Sequence, residues 1–392
     1  MFSERSRWPM SPNPLISLLE KKRNAGEQIF DLTESNPTRA GFQYDPDVIL
    51  GALNAPRSLI YEPSPQGLPE TRRAIAGYYQ DRGVPVDPDS LFLTASTSEA
   101  YAFLFKLLAN PGDEILIPAP GYPLFEFLSQ LESVKFHSYP SSYDSENGWQ
   151  IDLEILSATI STKTVAIVVV NPNNPTGVYL KEYEFEFINQ LCMDHKLALI
   201  IDEVFWDYRT ATHLKNISEG LNNPRALTFV LNGFSKLLGL PQLKLGWIHL
   251  NGPEELRSEA RARLEIIADT YLSVSTPVQH AAERLFTQKD TIQEQILSRI
   301  QTNLFFLNEE TPKAPGWHVL RREGGWYAVL QIPEHISDEE MTINLLEKEN
   351  VLIHPGYFYD FPGDNCLVLS LLTAVDIFRE GVIKMLKCRD KE

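Results

Sequence analysis

Asn232-Gly-Phe-Ser-Lys-Leu-Leu-Gly-Leu-Pro-Gln-Leu-Lys-Leu-Gly-Trp247 is the stretch on which the reading of this chain turns. An apolar run, Leu227 to Leu231, precedes it and reads as a strand. A turn-prone loop bearing Gly and Pro follows, with a second cation, Lys244, eight positions after Lys236. A lysine fixed at a strand end, beside small neighbours such as Ser235, is well placed to form a Schiff base with a carbonyl compound. Alone, such a lysine would read as a solvated surface side chain. Two earlier segments change that. Asn171-Pro-Asn-Asn-Pro-Thr-Gly177 follows Thr164-Val-Ala-Ile-Val-Val-Val170, a continuous apolar run of the kind a doubly covered parallel strand shows. Asp202-Glu-Val-Phe-Trp-Asp-Tyr208 follows the apolar run Leu197 to Ile201 and puts a carboxylate at the end of another buried strand. In an open α/β sheet, ligands bind at such carboxyl ends.

In this order the three segments resemble the class I/II aminotransferases, pyridoxal-phosphate enzymes of the aspartate-aminotransferase fold (fold type I). The resemblance runs from about Asp31 to about Met385. It implies an α/β fold with a large domain built on a mostly parallel central sheet, plus a smaller α/β domain. It also implies the cofactor, pyridoxal 5'-phosphate. A pyridoxal site needs an amine, a counter-charge for the pyridine nitrogen, a phosphate cradle and a shelf for the ring. By resemblance Lys236 supplies the amine and carries the proton at the reacting carbon. Asp202 matches the counter-charge, which raises the basicity of the ring nitrogen. Asn174 matches the hydrogen-bond partner of the phenolic oxygen, and Tyr122 the stacking aromatic. Thr97 and Ser98, at the start of a helix, match the phosphate cradle. Lys244 stands at the place of the phosphate-binding arginine, where it keeps charge but loses the two-pronged hydrogen bond. Tyr61 resembles the tyrosine that reaches the phosphate of the neighbouring subunit, which implies a homodimer.

Three departures stand out. Phe205 replaces the tyrosine usual after Asp-Glu-Val, removing a hydroxyl. Gly233 replaces a serine common three residues before the lysine. Val368, in Cys366-Leu-Val-Leu-Ser370, stands where the family has the arginine that grips the substrate's α-carboxylate. The replacement candidate is Arg39, in Ser35-Asn-Pro-Thr-Arg39, a loop that borders the substrate in the family, with Ser35 beside it. Either another group holds an ordinary amino acid, or the substrate lacks an α-carboxylate in the usual place.

Composition agrees with an enzyme of small molecules. The 392 residues suffice for two domains. A formal net charge of −17 argues against nucleic-acid partners and anionic membrane surfaces. Three cysteines make a disulfide framework a poor expectation, and the eight histidines are scattered without metal-ligand spacing. The amino terminus has no apolar signal-peptide core, and no apolar run approaches membrane length, which reads as a cytoplasmic protein. Strand and helix patterns alternate from Leu91 to Leu250, as a parallel sheet covered on both faces requires. The expected organisation is an arm over 1–14, a large cofactor-binding domain over 45–286, and a small domain from 15–44 and 287–392. The function expected is an aminotransferase moving an amino group between a small amino donor and a 2-oxo-acid acceptor. The alternatives are a pyridoxal-phosphate lyase or decarboxylase on the same scaffold, or a non-enzymatic protein that binds the cofactor.

Overall fold

The computed structural model describes every residue except 9, 12, 211–218, 273, 334, 364 and 389–392. After a two-residue strand β1 (Phe30–Asp31), eight strands build the main sheet. They are β2 (Leu91–Thr94), β3 (Glu114–Ala119), β4 (Lys135–Asp144), β5 (Gly148–Ile151), β6 (Thr164–Val170), β7 (Ala198–Asp202), β8 (Thr228–Gly233) and β9 (Gly246–Asn251). Their spatial order is β2-β9-β8-β7-β6-β3-β4-β5. The middle, β4-β3-β6-β7-β8, is parallel, and β9 runs antiparallel between β2 and β8. The central strands carry apolar residues on both faces because both faces are covered. Ile167, Val169, Leu199, Ile201 and Val230 belong to one core, and Val168, Val170, Ile200, Phe229 and Leu231 to the other.

A second, antiparallel sheet has the order β10 (His318–Val319), β11 (Tyr327–Gln331), β14 (Cys366–Ser370), β13 (His354–Pro355). β1 pairs in parallel with β12 (Val351–Leu352), which ties the early segment to the carboxyl-terminal part. The change of core falls between two helices. Thr276–Phe286 places Val278, Ala281 and Leu285 in the main core, whereas Lys289–Glu310 places Ile292, Ile296 and Ile300 in the second.

The sequence pattern predicts a helix over Gly121–Gln130, a strand over Lys135–Tyr139 and one long helical stretch after Pro277 to about Glu309, and each differs in the structure. One long helix after Pro277 is instead two, broken at 287–288. The helix expected from Gly121 starts only at Phe125; Pro120 and Pro123 lack the backbone N–H a helix interior uses. β4 runs on to Asp144 and turns into a hairpin with β5. Lys236 lies at the end of β8, in a helical turn, Phe234–Leu237, that directly follows the strand. No described helix is long and apolar enough to cross a membrane.

Candidate active site

β7 and β8 are adjacent and parallel, so their carboxyl ends deliver Asp202 and the turn of Lys236 to the same edge of the sheet. They open on a cavity of about 220 Å³. Of the residues named from sequence, Ser35, Thr97, Tyr122, Asn174, Asp202, Phe205, Ser235 and Lys236 line it. Ser96, Val204, Gly233, Gly246 and Tyr327 complete much of the wall.

The turn of Lys236 is held through its backbone. The Tyr208 hydroxyl donates to the Lys236 carbonyl at 2.6 Å, Gln293 Nε2 to the Leu237 carbonyl at 3.0 Å, and Tyr44 to the Gly239 carbonyl at 2.7 Å. The Lys236 Nζ faces two rings, 4.7 Å from the Trp326 centroid and 5.5 Å from that of Phe205. Burial lowers its pKa to about 8, against the opposing pull of Asp202. Asp202 is 7% exposed. Its Oδ1 accepts the Val204 N–H and its Oδ2 the Tyr101 hydroxyl, each at 3.0 Å. Burial raises its pKa to about 6, while those two donors and Lys236 act the other way.

The Asn174 side chain is buried, and its Oδ1 has no hydrogen-bond partner among the described residues. Its loop is pinned from the second sheet's side, since the Gly324 N–H donates to the Gly177 carbonyl at 2.8 Å. A Cβ at Gly177 would meet the Gly324 carbonyl oxygen at 2.3 Å, and φ there is +71°, so only glycine suits the position. At the other end of the cavity the helix Thr97–Leu108 begins. Its cap is Ser96, whose Oγ accepts the Glu99 N–H, while Glu99 reaches back to the Ala95 N–H. Thr97 faces the cavity; Ser98 is not part of its lining. Gly233 and Gly246 are ladder partners in the floor. A Cβ on Gly233 would meet Gly246 Cα at 3.0 Å, which gives the glycine in place of serine a packing reason.

Other residues named from sequence stand apart. Lys244 is exposed, with left-handed backbone, and does not line the cavity. Tyr61 is 68% exposed. Arg39 is exposed and outside the lining, so the structure does not bring it to the amine. Val368 is fully buried in β14 with Trp149, Val329 and Phe361. Among the described residues no arginine lines the cavity. Ser35 and Tyr327 do, and burial raises the Tyr327 phenol while the neighbouring Ser35 acts the other way. Tyr101, Tyr208, Trp326 and Tyr327 were missed as site residues. The pair Gly324-Gly325 before β11 was the available signal for a close backbone approach there.

The arrangement offers a buried amine of reduced basicity, a buried carboxylate, an amide with an unused oxygen, an aromatic edge and a helix start suited to an anion. Those features fit pyridoxal phosphate. Comparison with known proteins points the same way. The sequence profile of the family described as aminotransferase class I and II matches residues 27–376. The glutamate-pyruvate aminotransferase AlaA of Haemophilus influenzae is 29% identical over 373 residues, covering 92% of this chain and 90% of that protein. An alanine aminotransferase of Mycobacterium tuberculosis is 30% identical over 362 residues, covering 88% and 82%. The solved structure of an alanine aminotransferase from Pyrococcus furiosus superposes with a TM-score of 0.87 at 26% identity, covering 99% of each chain.

Proposed function

The chain belongs to the class I and II aminotransferases and has their fold type I architecture, and from that premise we propose that Lys236 holds pyridoxal 5'-phosphate covalently in this cavity. The enzyme is an aminotransferase. In this reading it is a cytoplasmic homodimer that moves an amino group between an amino acid or amine and a 2-oxo acid. The observation that carries the reading is the meeting of the Lys236 amine, the Asp202 carboxylate and the unsatisfied Asn174 amide in one cavity.

When bound, the cofactor supplies an aldehyde for the lysine and a ring that withdraws electrons from the substrate carbon. The remaining work falls to this chain. Lys236, with its pKa lowered to about 8, gives up its proton more readily than an ordinary lysine, so its Nζ serves as nucleophile and then as the base that moves the substrate's proton. Asp202 supplies the negative charge that keeps a ring nitrogen protonated. Asn174 supplies the amide beside the ring oxygen, and Tyr122 the ring shelf. The helix start at Ser96 and Thr97, with Ser235 close by, receives the phosphate. Phe205 and Trp326 keep water from the amine.

The amino donor's carboxylate end falls to neutral groups in this reading, with Ser35 and Tyr327 of the cavity wall the candidates. Relatives named for alanine, glutamate and pyruvate set the first donors and acceptors to try. Borohydride reduction of the yellow protein should fix the cofactor on the peptide that contains Lys236, and Lys236→Ala should abolish both that adduct and transamination. A reducible adduct on another lysine would sink the assignment. A panel of donors run with Arg39→Ala should show turnover unchanged by that substitution; a loss on the order of tenfold in apparent affinity would return Arg39 to the carboxylate.

A further inference from the structure

Tyr101 has no part in the chemistry described so far, yet its hydroxyl is bonded to the Asp202 carboxylate that lines the cavity. It lies on the helix Thr97–Leu108, one turn beyond Thr97, and is 2% exposed. The hydroxyl donates to Asp202 Oδ2 at 3.0 Å. The ring cannot swing away, because Phe125 meets it edge-on at 5.1 Å and 86°, and Phe105 packs at 5.9 Å. Phe125 in turn meets Tyr122 edge-on at 6.0 Å and 88°. One aromatic chain thus joins the ring shelf to the counter-ion. The other Asp202 oxygen is fixed by the Val204 N–H, so both oxygens have set partners.

We propose that Tyr101 is a positioning residue for this aminotransferase, holding the Asp202 carboxylate in one orientation and in its ionised form so that it can pair with a protonated heteroaromatic nitrogen. The inference rests on the cofactor reading above. The physical case is that a buried carboxylate is costly unless its oxygens accept hydrogen bonds, and a hydroxyl donor favours the ionised form. Burial alone drives Asp202 toward the neutral acid, which is a poor partner for a pyridinium. Tyr101 opposes that drift. Its own phenol is held far above the usual range, by burial first and then by Asp202, so it remains a donor. The other groups that bear on Asp202 are Glu203, its chain neighbour, Lys236 on the turn after β8, and Tyr122 at the cavity edge. Among the described residues, Tyr101 is the side chain hydrogen-bonded to the carboxylate.

The test is a double-mutant cycle on the full-length protein. Pyridoxal 5'-phosphate is titrated into the apo forms of wild type, Tyr101→Phe, Asp202→Asn and the double variant, from about pH 5.5 to 8.5. For wild type, affinity should rise as Asp202 ionises. In Tyr101→Phe the dissociation constant should increase by about tenfold at pH 7, the low end for a hydrogen bond to a charged group. The pH at which binding strengthens should also move up. In the Asp202→Asn background the same substitution should change the constant by less than about twofold. Equal losses in both backgrounds would make Tyr101 packing only and overturn the inference, as would an unchanged constant and pH profile in Tyr101→Phe. A denaturant titration of the apo proteins supplies a readout free of cofactor: the stability deficit of Tyr101→Phe should grow from pH 5 to pH 8, and a pH-independent deficit counts against the proposal. If the wild-type protein binds no cofactor, the reading of the site fails first. If wild type binds and only the Tyr101 effects are missing, that reading stands and this inference falls.

Discussion

Burial shifts Lys236 and Asp202 in opposite directions, and the attraction between them opposes both shifts. Burial lowers the lysine to about 8 and raises the aspartate to about 6. The lysine's depressed value means that the fold's preference for the neutral amine is fully present above its unfolded pKa. That contribution is lost as pH falls through about 8. The aspartate's raised value acts in the other direction, and its contribution is lost as pH rises through about 6. Between these values both side chains are charged in the apo cavity. Cofactor capture needs the neutral amine, so its rate in apo protein should climb with pH and level off above about 8. Stopped-flow absorbance across pH 6 to 9.5 would show it. A flat profile would mean that the amine in the cavity is not the capturing group. Asp202→Asn should slow transamination by on the order of a hundredfold, the scale of a lost electrostatic partner at a reaction centre.

The turn 203–208 is the element that sets the site. It sends Phe205 to the Lys236 amine and Tyr208 to the Lys236 carbonyl. Its far side is clamped by a buried ion pair, Arg82 Nη1 to Glu203 Oε2 at 2.8 Å, with side chains 9% and 2% exposed. The Arg82 guanidinium lies 4.5 Å from the Trp206 ring, and Tyr78 bridges Arg82 to Asp207. Burial raises the Glu203 carboxyl, with Arg82 pulling it back. Removing one partner strands the other charge. Arg82→Met should therefore cost about 3–5 kcal/mol in urea unfolding. Glu203→Gln in the same chain should restore part of that loss, because no buried charge then lacks a partner. An Arg82→Met protein with the wild-type midpoint would show that the pair contributes nothing to stability.

The site sits where the main sheet, the second sheet and the segment around Ser35 meet, so its integrity is a property of the whole molecule. The exposed run Leu59, Ile60 and Tyr61, at 92%, 57% and 68%, is apolar surface of the kind that partners cover. The homodimer reading gives it a second copy of this chain. Sedimentation should return twice the 44.5 kDa chain mass, and Tyr61→Phe should weaken cofactor binding if its hydroxyl reaches the neighbouring subunit's phosphate. A fully active monomer at low concentration would contradict that reading.

The central strands and the residues at their ends were legible from the chain itself. β6, β7 and β8 are apolar runs closed by polar punctuation, and the residue after such a run lies at the strand's carboxyl end whatever the rest of the fold does. That pattern places Asn174, Asp202 and Lys236 at or shortly after strand ends, and the resemblance to the class I/II aminotransferases assigns their roles. The elements that differed are those whose limits depend on neighbours: the late start of the helix at Phe125, the break at 287–288 and the extension of β4. Tyr101 and Asp202 are 101 positions apart, and their contact arises from a helix laid across a sheet edge. Trp326 reaches Lys236 from the second sheet, and Gln293 reaches its turn from the long helix. Lys244 and Arg39 carry the right charge at plausible places in the chain, yet both are exposed and neither is in the cavity lining. Local sequence determined which residue types close each strand, because a strand end is fixed by its own apolar pattern. Only tertiary structure decided which side chains converge on the amine, because convergence depends on the packing of elements far apart in the chain.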